Sequence, residues 1–83
     1  MISPDTRSVI DQAKRLYANQ LQVALEADHQ GRFVAIEPMS GDYFLADTLD
    51  GAVQAARTRH PARLSHTIRV GHTAALHLGG GTW

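Results

Sequence analysis

The first part of the chain carries apolar side chains at helical spacing, and shorter segments with alternating apolar and polar residues follow it. The spacing predicts a helix over residues 4–28. Ser3 is a suitable cap, Pro4 suits the first helical position, and Gly31 ends the pattern. At ~1.5 Å per residue such a helix would be roughly 38 Å long, which is longer than a small domain is wide.

The apolar side of this helix is unusually broad. At ~100° per residue it spans roughly 200°, about twice the stripe that docking on one sheet requires. On an ideal helix Leu16 and Leu21 lie about 140° apart, so one of them should meet another chain. The sequence therefore predicts a homodimer, or a complex with a partner protein, through the N-terminal helix. The alternative is a generous alanine content without a second contact.

A hairpin and a second helix follow. Residues 33–37 predict a strand whose two alternating sets are both apolar, which is typical of a strand covered on both sides. Gly41 suits a turn into a returning strand over residues 43–46. Thr48 is a natural cap for the next helix, which Pro61 stops. This helix has a single narrow apolar stripe, made of Leu49, Ala52, Val53 and Ala56.

Two further strands are predicted by alternation over residues 64–70 and 74–78. We expect one α+β domain over residues 1–83, with a ββαββ unit at 31–78 and a flexible tail at 79–83. The predicted order is α-β-β-α-β-β, with a mainly antiparallel four-stranded sheet and both helices on one face.

Composition excludes several functions. The 83 residues include no cysteine, so neither a disulfide framework nor a thiolate metal site is available. Eight basic and eight acidic residues give a net charge of +0, which argues against general attraction to nucleic acid or an anionic membrane. No apolar run approaches the roughly 20 residues of a membrane span. The first residues lack the apolar core of a secretory signal, and we expect a cytoplasmic protein.

Candidate chemistry is sparse. His66 and His77 fall on opposite kinds of strand face, so they predict no metal site. The acidic residues near the hairpin are Glu37, Asp42, Asp47 and Asp50, a set that a magnesium-dependent enzyme could use. Local roles in a turn and a helix start explain Asp42 and Asp50 equally well. A small basic patch could form from Arg57, Arg59, Arg63 and Arg69. Their contribution to a soluble surface explains the same four residues as well. No nucleophile has an identifiable base, so we assign no catalytic, cofactor or metal residue.

Two resemblances bear on the fold. GRFVAI at residues 31–36, AVQAARTRHP at 52–61 and IRVG at 68–71 resemble a group of small uncharacterised prokaryotic proteins. Those motifs are structural, and the resemblance implies a fold without an activity. Pro38, Gly41 and ADTLDGA at residues 46–52 resemble the HicB-type antitoxin domain, whose fold is partly like ribonuclease H.

Two positions depart from the HicB-type pattern. The chain has Ala46 and Gly51 where that family prefers glycine and glutamate. The missing glutamate would have completed a capping box with Thr48. The first hypothesis for function is therefore a small binding or regulatory module acting through protein contacts. The alternatives are a HicB-like antitoxin and an enzyme that uses the hairpin carboxylates.

Overall fold

The computed structural model describes residues 4–71, which form an α+β domain. Its elements are α1 (Pro4–Leu16), a π-helical turn (Tyr17–Leu21), α2 (Gln22–Asp28), β1 (Phe33–Glu37), β2 (Asp42–Ala46), α3 (Leu49–Arg59) and β3 (His66–Arg69). The predicted strand at 74–78, the predicted tail at 79–83 and the cap Ser3 lie outside the described residues. No helix between residues 4 and 71 is both long and apolar enough to cross a bilayer.

Within residues 4–71 the sheet has three antiparallel strands in the order β2-β1-β3. Phe33, the first residue of β1, pairs with Ala46 of β2 on one side and with Arg69 of β3 on the other. β2 and β3 therefore run in the same direction on either side of β1, and α3 connects them as in a split β-α-β unit. The described residues confirm the α+β class with three strands.

The helices cover opposite faces of this sheet. Val34 packs with Tyr17 and Leu25 of the N-terminal helix, whereas its neighbour Ala35 packs with Ala52 of α3. Successive strand residues point to opposite faces, so the two clusters lie on either side of β1. The prediction that both helices share one face is therefore wrong. Since both residue sets of β1 are apolar, each face of the strand needs its own cover.

The N-terminal helix spans the predicted residues 4–28 but contains a π-helical turn at its middle. The backbone N–H of Gln22 donates to the carbonyl of Tyr17, five residues earlier. A π turn brings residues five apart nearly above one another. Leu16 and Leu21 consequently both pack, partly buried, against the core beneath the helix. The two leucines therefore do not require contact with another chain, as they would on an ideal α-helix.

The second helix begins and ends where its signals predict. The Thr48 hydroxyl accepts a hydrogen bond from Gly51 N at 3.0 Å, and α3 stops before Pro61. Its buried stripe is narrower than predicted, since Ala52 and Ala56 are buried and Leu49 is 54% exposed.

The last described strand is shorter than its predicted range of 64–70. Pairing starts at His66, which lies opposite Ile36. Continuing that register would place Leu64 opposite Pro38, which has no N–H to donate. Leu64 is accordingly outside the ladder and 52% exposed.

Candidate functional site

A polar cluster lies where the turn after β1 meets the end of α3, and the carboxylate of Glu37 is its centre. Glu37 is 1% exposed. It accepts hydrogen bonds from Met39 N at 2.7 Å, Ser40 N at 3.0 Å and Arg63 Nη1 at 3.2 Å. Burial acts to raise the pKa of Glu37, but these hydrogen bonds outweigh burial and hold its pKa below the ordinary value. Glu37 therefore stays ionised and fastens the turn to the loop after α3.

Ser40, Asp42 and His60 come together beside Glu37 in an arrangement that the sequence analysis did not find. His60 Nε2 lies 2.7 Å from Asp42 Oδ2 and 3.4 Å from Ser40 Oγ. A serine–histidine–aspartate relay needs the serine and the aspartate on different ring nitrogens. Here both contact the same nitrogen, and Ser40 Oγ already donates to the Glu37 carbonyl at 3.3 Å. The cluster is therefore a structural contact that holds the turn after β1 against the end of α3.

The four carboxylates of the magnesium hypothesis do not converge. Glu37 and Asp42 lie at the turn, whereas Asp47 follows the far end of β2 and pairs with Arg32 at 3.0 Å. Asp42 and Asp47 are five residues apart along the extended chain, which separates their Cα atoms by about 17 Å at ~3.3 Å per residue. Asp50 lies in the first turn of α3. In the described part of the chain, no three histidine or acidic side chains are placed to hold a metal.

The histidines are dispersed. His66 is half-buried on the N-terminal-helix side, and burial together with the charge of Lys14 lowers its pKa. His29 Nδ1 lies 3.2 Å from Arg32 Nη1 at the start of β1. His77, the other histidine weighed as a ligand, lies outside the described residues.

The four arginines do not form one patch. Arg63 contacts Glu37 at the turn end of β1. Arg69 lies opposite Phe33 at the other end, with its guanidinium 5.5 Å from that ring centroid and its Nε donating to the Gly31 carbonyl at 3.2 Å. Arg57 and Arg59 belong to the last turn of α3. The basic surface that the sequence allowed is thus divided between two ends of the sheet.

An open groove of about 310 Å³ runs between the N-terminal helix and the turn after β1. Its lining residues are Gln12, Arg15, Leu16, Asn19, Gln20 and Pro38. Its wall combines three carboxamides and one guanidinium with the apolar side chains of Leu16 and Pro38. Among residues 4–71 no carboxylate forms an ion pair with Arg15. Sequence analysis missed this groove because Pro38 and the helix meet only through the fold.

The π turn positions both the groove and the core. Asn19 and Gln20 belong to it, and Tyr17 at its start is buried. The Tyr17 hydroxyl donates to Glu26 Oε2 at 2.9 Å and accepts from Gly71 N at 3.3 Å. Burial is the largest effect on the pKa of Tyr17, which is raised above its ordinary value. These bonds fasten the middle of the helix to the end of β3, with Asn19 and Gln20 left on the exposed side.

Comparison with protein-family models, with curated proteins and with solved structures finds no match for this chain. The two resemblances drawn from the sequence therefore stay expectations, and the argument about function rests on the geometry alone.

Proposed function

We propose that this chain is a small binding module that acts through protein–protein contacts, with the groove on the N-terminal helix as its contact surface. The observation that carries the proposal is the composition of that groove, since five of its six lining residues come from the helix. By contrast, the carboxylates Glu37, Asp42 and Asp47 are each bound to a basic side chain of the same domain.

A polypeptide segment is the ligand that suits this wall. Each carboxamide of Gln12, Asn19 and Gln20 offers donors and an acceptor, which match the N–H and C=O groups of a peptide backbone. Leu16 and Pro38 supply apolar contact. A small molecule needs a concave pocket that buries most of its surface, and this groove is open to solvent.

The π turn supports the same surface. Such turns inside α-helices recur at functional sites, because the extra residue changes which side chains face outward. Here it turns Leu21 towards the core and leaves Asn19 and Gln20 exposed beside the groove.

Two finer expectations belong to this proposal. Dimerisation through the N-terminal helix stays an untested alternative, and it would rest on Val23, which is 86% exposed, together with exposed Ala24 and Ala27. The fourth strand at residues 74–78 is also proposed. Gly71 has a φ of 82° at the end of β3, which suits a tight turn into a strand that pairs with the outer edge of β3.

Site-specific photo-crosslinking tests the groove. A photoreactive amino acid replaces Gln20 in one variant and Gln54 in the control, since both are exposed helical glutamines and only Gln20 lines the groove. In native-host extract we expect a defined adduct from position 20 alone. Arg15→Glu should abolish that adduct, whereas Arg7→Glu, elsewhere on the same helix, should leave it. Equal adducts at both positions, or magnesium-dependent turnover lost in Asp47→Asn, would contradict the proposal.

The HicB-like antitoxin is the second candidate, and one contact favours it. A Cβ added at Gly51 would lie 3.0 Å from the Thr48 hydroxyl oxygen and 3.1 Å from the Cβ of Ala46, so both neighbours would have to shift slightly. The HicB-type pattern has glycine and glutamate at positions 46 and 51. Glycine at position 46 would relieve one of these two contacts, so the two departures lie at positions that adjoin each other in the fold. A small toxin encoded beside this chain, neutralised on co-expression, would support this candidate.

A further inference from the structure

The outer edge of β2, which is the side that does not pair with β1, is a second surface of residues 4–71 that could bind a partner, besides the groove. β2 pairs with β1 on one side, and between residues 4 and 71 no strand pairs with its other side. An edge strand presents a row of N–H and C=O groups that are directed outward. Such a row specifies its partner more narrowly than an apolar surface does, because only another extended strand can satisfy it.

The edge lacks the features that normally block association. Edge strands are commonly protected by lysine, proline, a bulge or an inward-pointing charge. β2 has the sequence DYFLA, in which the only charged residue is Asp42, bound to His60 at the turn. β3, the other edge of the described sheet, is shorter and carries Arg69.

We propose that β2 pairs with β2 of a second copy of this chain, antiparallel and centred on Phe44. This register is the one that pairs all five residues of the strand. Phe44 then faces Phe44, Tyr43 faces Leu45, and Asp42 faces Ala46. Aromatic–aromatic and aromatic–aliphatic pairs are among the favourable cross-strand combinations. The three described strands of each copy then join into one continuous sheet about a two-fold axis.

Burial and charge agree with this register. Tyr43 is 42% exposed in the single chain, and pairing covers it with Leu45 of the other copy. No like charges face each other, because Asp42 lies opposite Ala46 and Asp47 would lie opposite Gly41. The two-fold axis is perpendicular to the sheet. The N-terminal helices of both copies therefore lie on one face of the joined sheet, and both α3 helices lie on the other.

The pairing is expected to be weak and separate from the groove. Five residues per copy is far fewer than the roughly 20–30 residues per side of a standard interface, so the dimer should form only as concentration rises. The edge and the groove share no residue. Self-association and the binding of another protein can therefore be tested independently.

The first experiment measures mass by light scattering from low to high micromolar concentration. The wild-type mass should rise from 9.1 kDa towards twice that value. Tyr43→Lys places a blocking charge on the edge and should hold the mass at that of the monomer, with an unchanged circular dichroism spectrum. Val23→Lys, on the exposed side of the helix, should dimerise like the wild type. A wild-type monomer at every concentration would overturn the pairing and leave the groove proposal standing. A dimer lost only in Val23→Lys would overturn it in favour of the helix.

The second experiment tests the register with engineered cysteines, since the natural chain has none. At the centre of the pairing the two Phe44→Cys side chains would have Cβ atoms about 4.5–5.5 Å apart, within reach of a disulfide after small adjustment. Mild oxidation should therefore yield a covalent dimer. Met39→Cys, at a position that is 76% exposed and thus more accessible than Phe44, should not crosslink.

Phe44→Cys also removes a ring that contacts His60. If that variant fails to fold, Tyr43→Cys with a short bifunctional maleimide replaces it, because its two copies would lie diagonally about 7–8 Å apart. Equal crosslinking at position 39 and at the strand positions would show that the contact is random collision.

Discussion

Replacing Glu37 by glutamine tests whether its buried carboxylate holds the turn after β1 against the loop after α3. The wild-type carboxylate accepts from two backbone N–H groups and from Arg63. The glutamine carboxamide has the same shape but only one accepting oxygen. Its NH₂ group must therefore face either Met39 N or Ser40 N, which leaves that part-buried donor without its acceptor.

The expected loss follows from those contacts. An unsatisfied buried donor costs about 1–3 kcal/mol, and hydrogen bonds to a charged group contribute more than neutral ones. The Arg63 side chain is 44% exposed, so solvent screening reduces its share. The free energy of unfolding should fall by about 2–3 kcal/mol in total. For a domain of this size that loss lowers Tm by roughly 10–20 °C.

Urea and thermal unfolding followed by circular dichroism measure this difference. Asp47→Asn is the matched control, since it makes the same carboxylate-to-amide change in an ion pair whose aspartate is 86% exposed. Such a surface pair should change stability by less than about 1 kcal/mol. The reasoning fails if Glu37→Gln unfolds at the wild-type midpoint, or if the two variants lose equal stability.

The pH dependence gives an independent check with a definite sign. The pKa of Glu37 is lower in the folded chain than its ordinary value, so its contribution is present at neutral pH. That contribution is lost as pH falls through the folded-state pKa, which lies below the ordinary pKa of a glutamate. Burial lowers the pKa of His66, so His66 also costs stability on acidification, from its ordinary value near 6.5 downward. Glu37→Gln should therefore flatten only the more acidic part of the stability profile.

Three further sets of substitutions test other contacts. Tyr17→Phe removes two hydrogen bonds and should lower the free energy of unfolding by about 1–2 kcal/mol. Burial raises the pKa of the wild-type Tyr17 hydroxyl. On alkaline titration of the wild type, the absorbance of one tyrosinate should therefore appear at a higher pH than that of free tyrosine. Leu16→Ala and Leu21→Ala should each destabilise by roughly 1–2 kcal/mol in urea unfolding, since both are partly buried against one core, and a neutral effect at either would contradict the π turn. Gly51→Glu should lower Tm, and adding Ala46→Gly should restore part of the loss; additive losses would show that the two positions are not coupled.

The candidate sites differ in how far the sequence anticipates them. The acidic residues near the hairpin are visible in the sequence, but their separation depends on which end of β2 each one occupies. The proximity of Ser40 and His60 depends on α3 returning along the sheet, and no spacing rule indicates it. The groove likewise requires Pro38 to lie against a helix that precedes it by many residues.

Local signals were sufficient for the elements themselves. Thr48 and Pro61 mark the ends of α3, and the apolar spacing marks the N-terminal helix, because caps, proline and amphipathic period act over a few residues. The apolar character of both faces of β1 also indicates two covers, and with two helices available this pattern points to opposite faces. The prediction of a shared face disregarded that signal.

Which side chains face outward was determined only by the tertiary structure. An ideal helix separates Leu16 from Leu21, yet the π turn brings both onto one core, since burying two leucines outweighs one irregular backbone turn. The same holds for Glu37, whose ionised state depends on backbone donors from the turn and on Arg63 from beyond α3. Element type follows from interactions between near neighbours. The surfaces that can bind a partner follow from burial between distant segments, which no local pattern records.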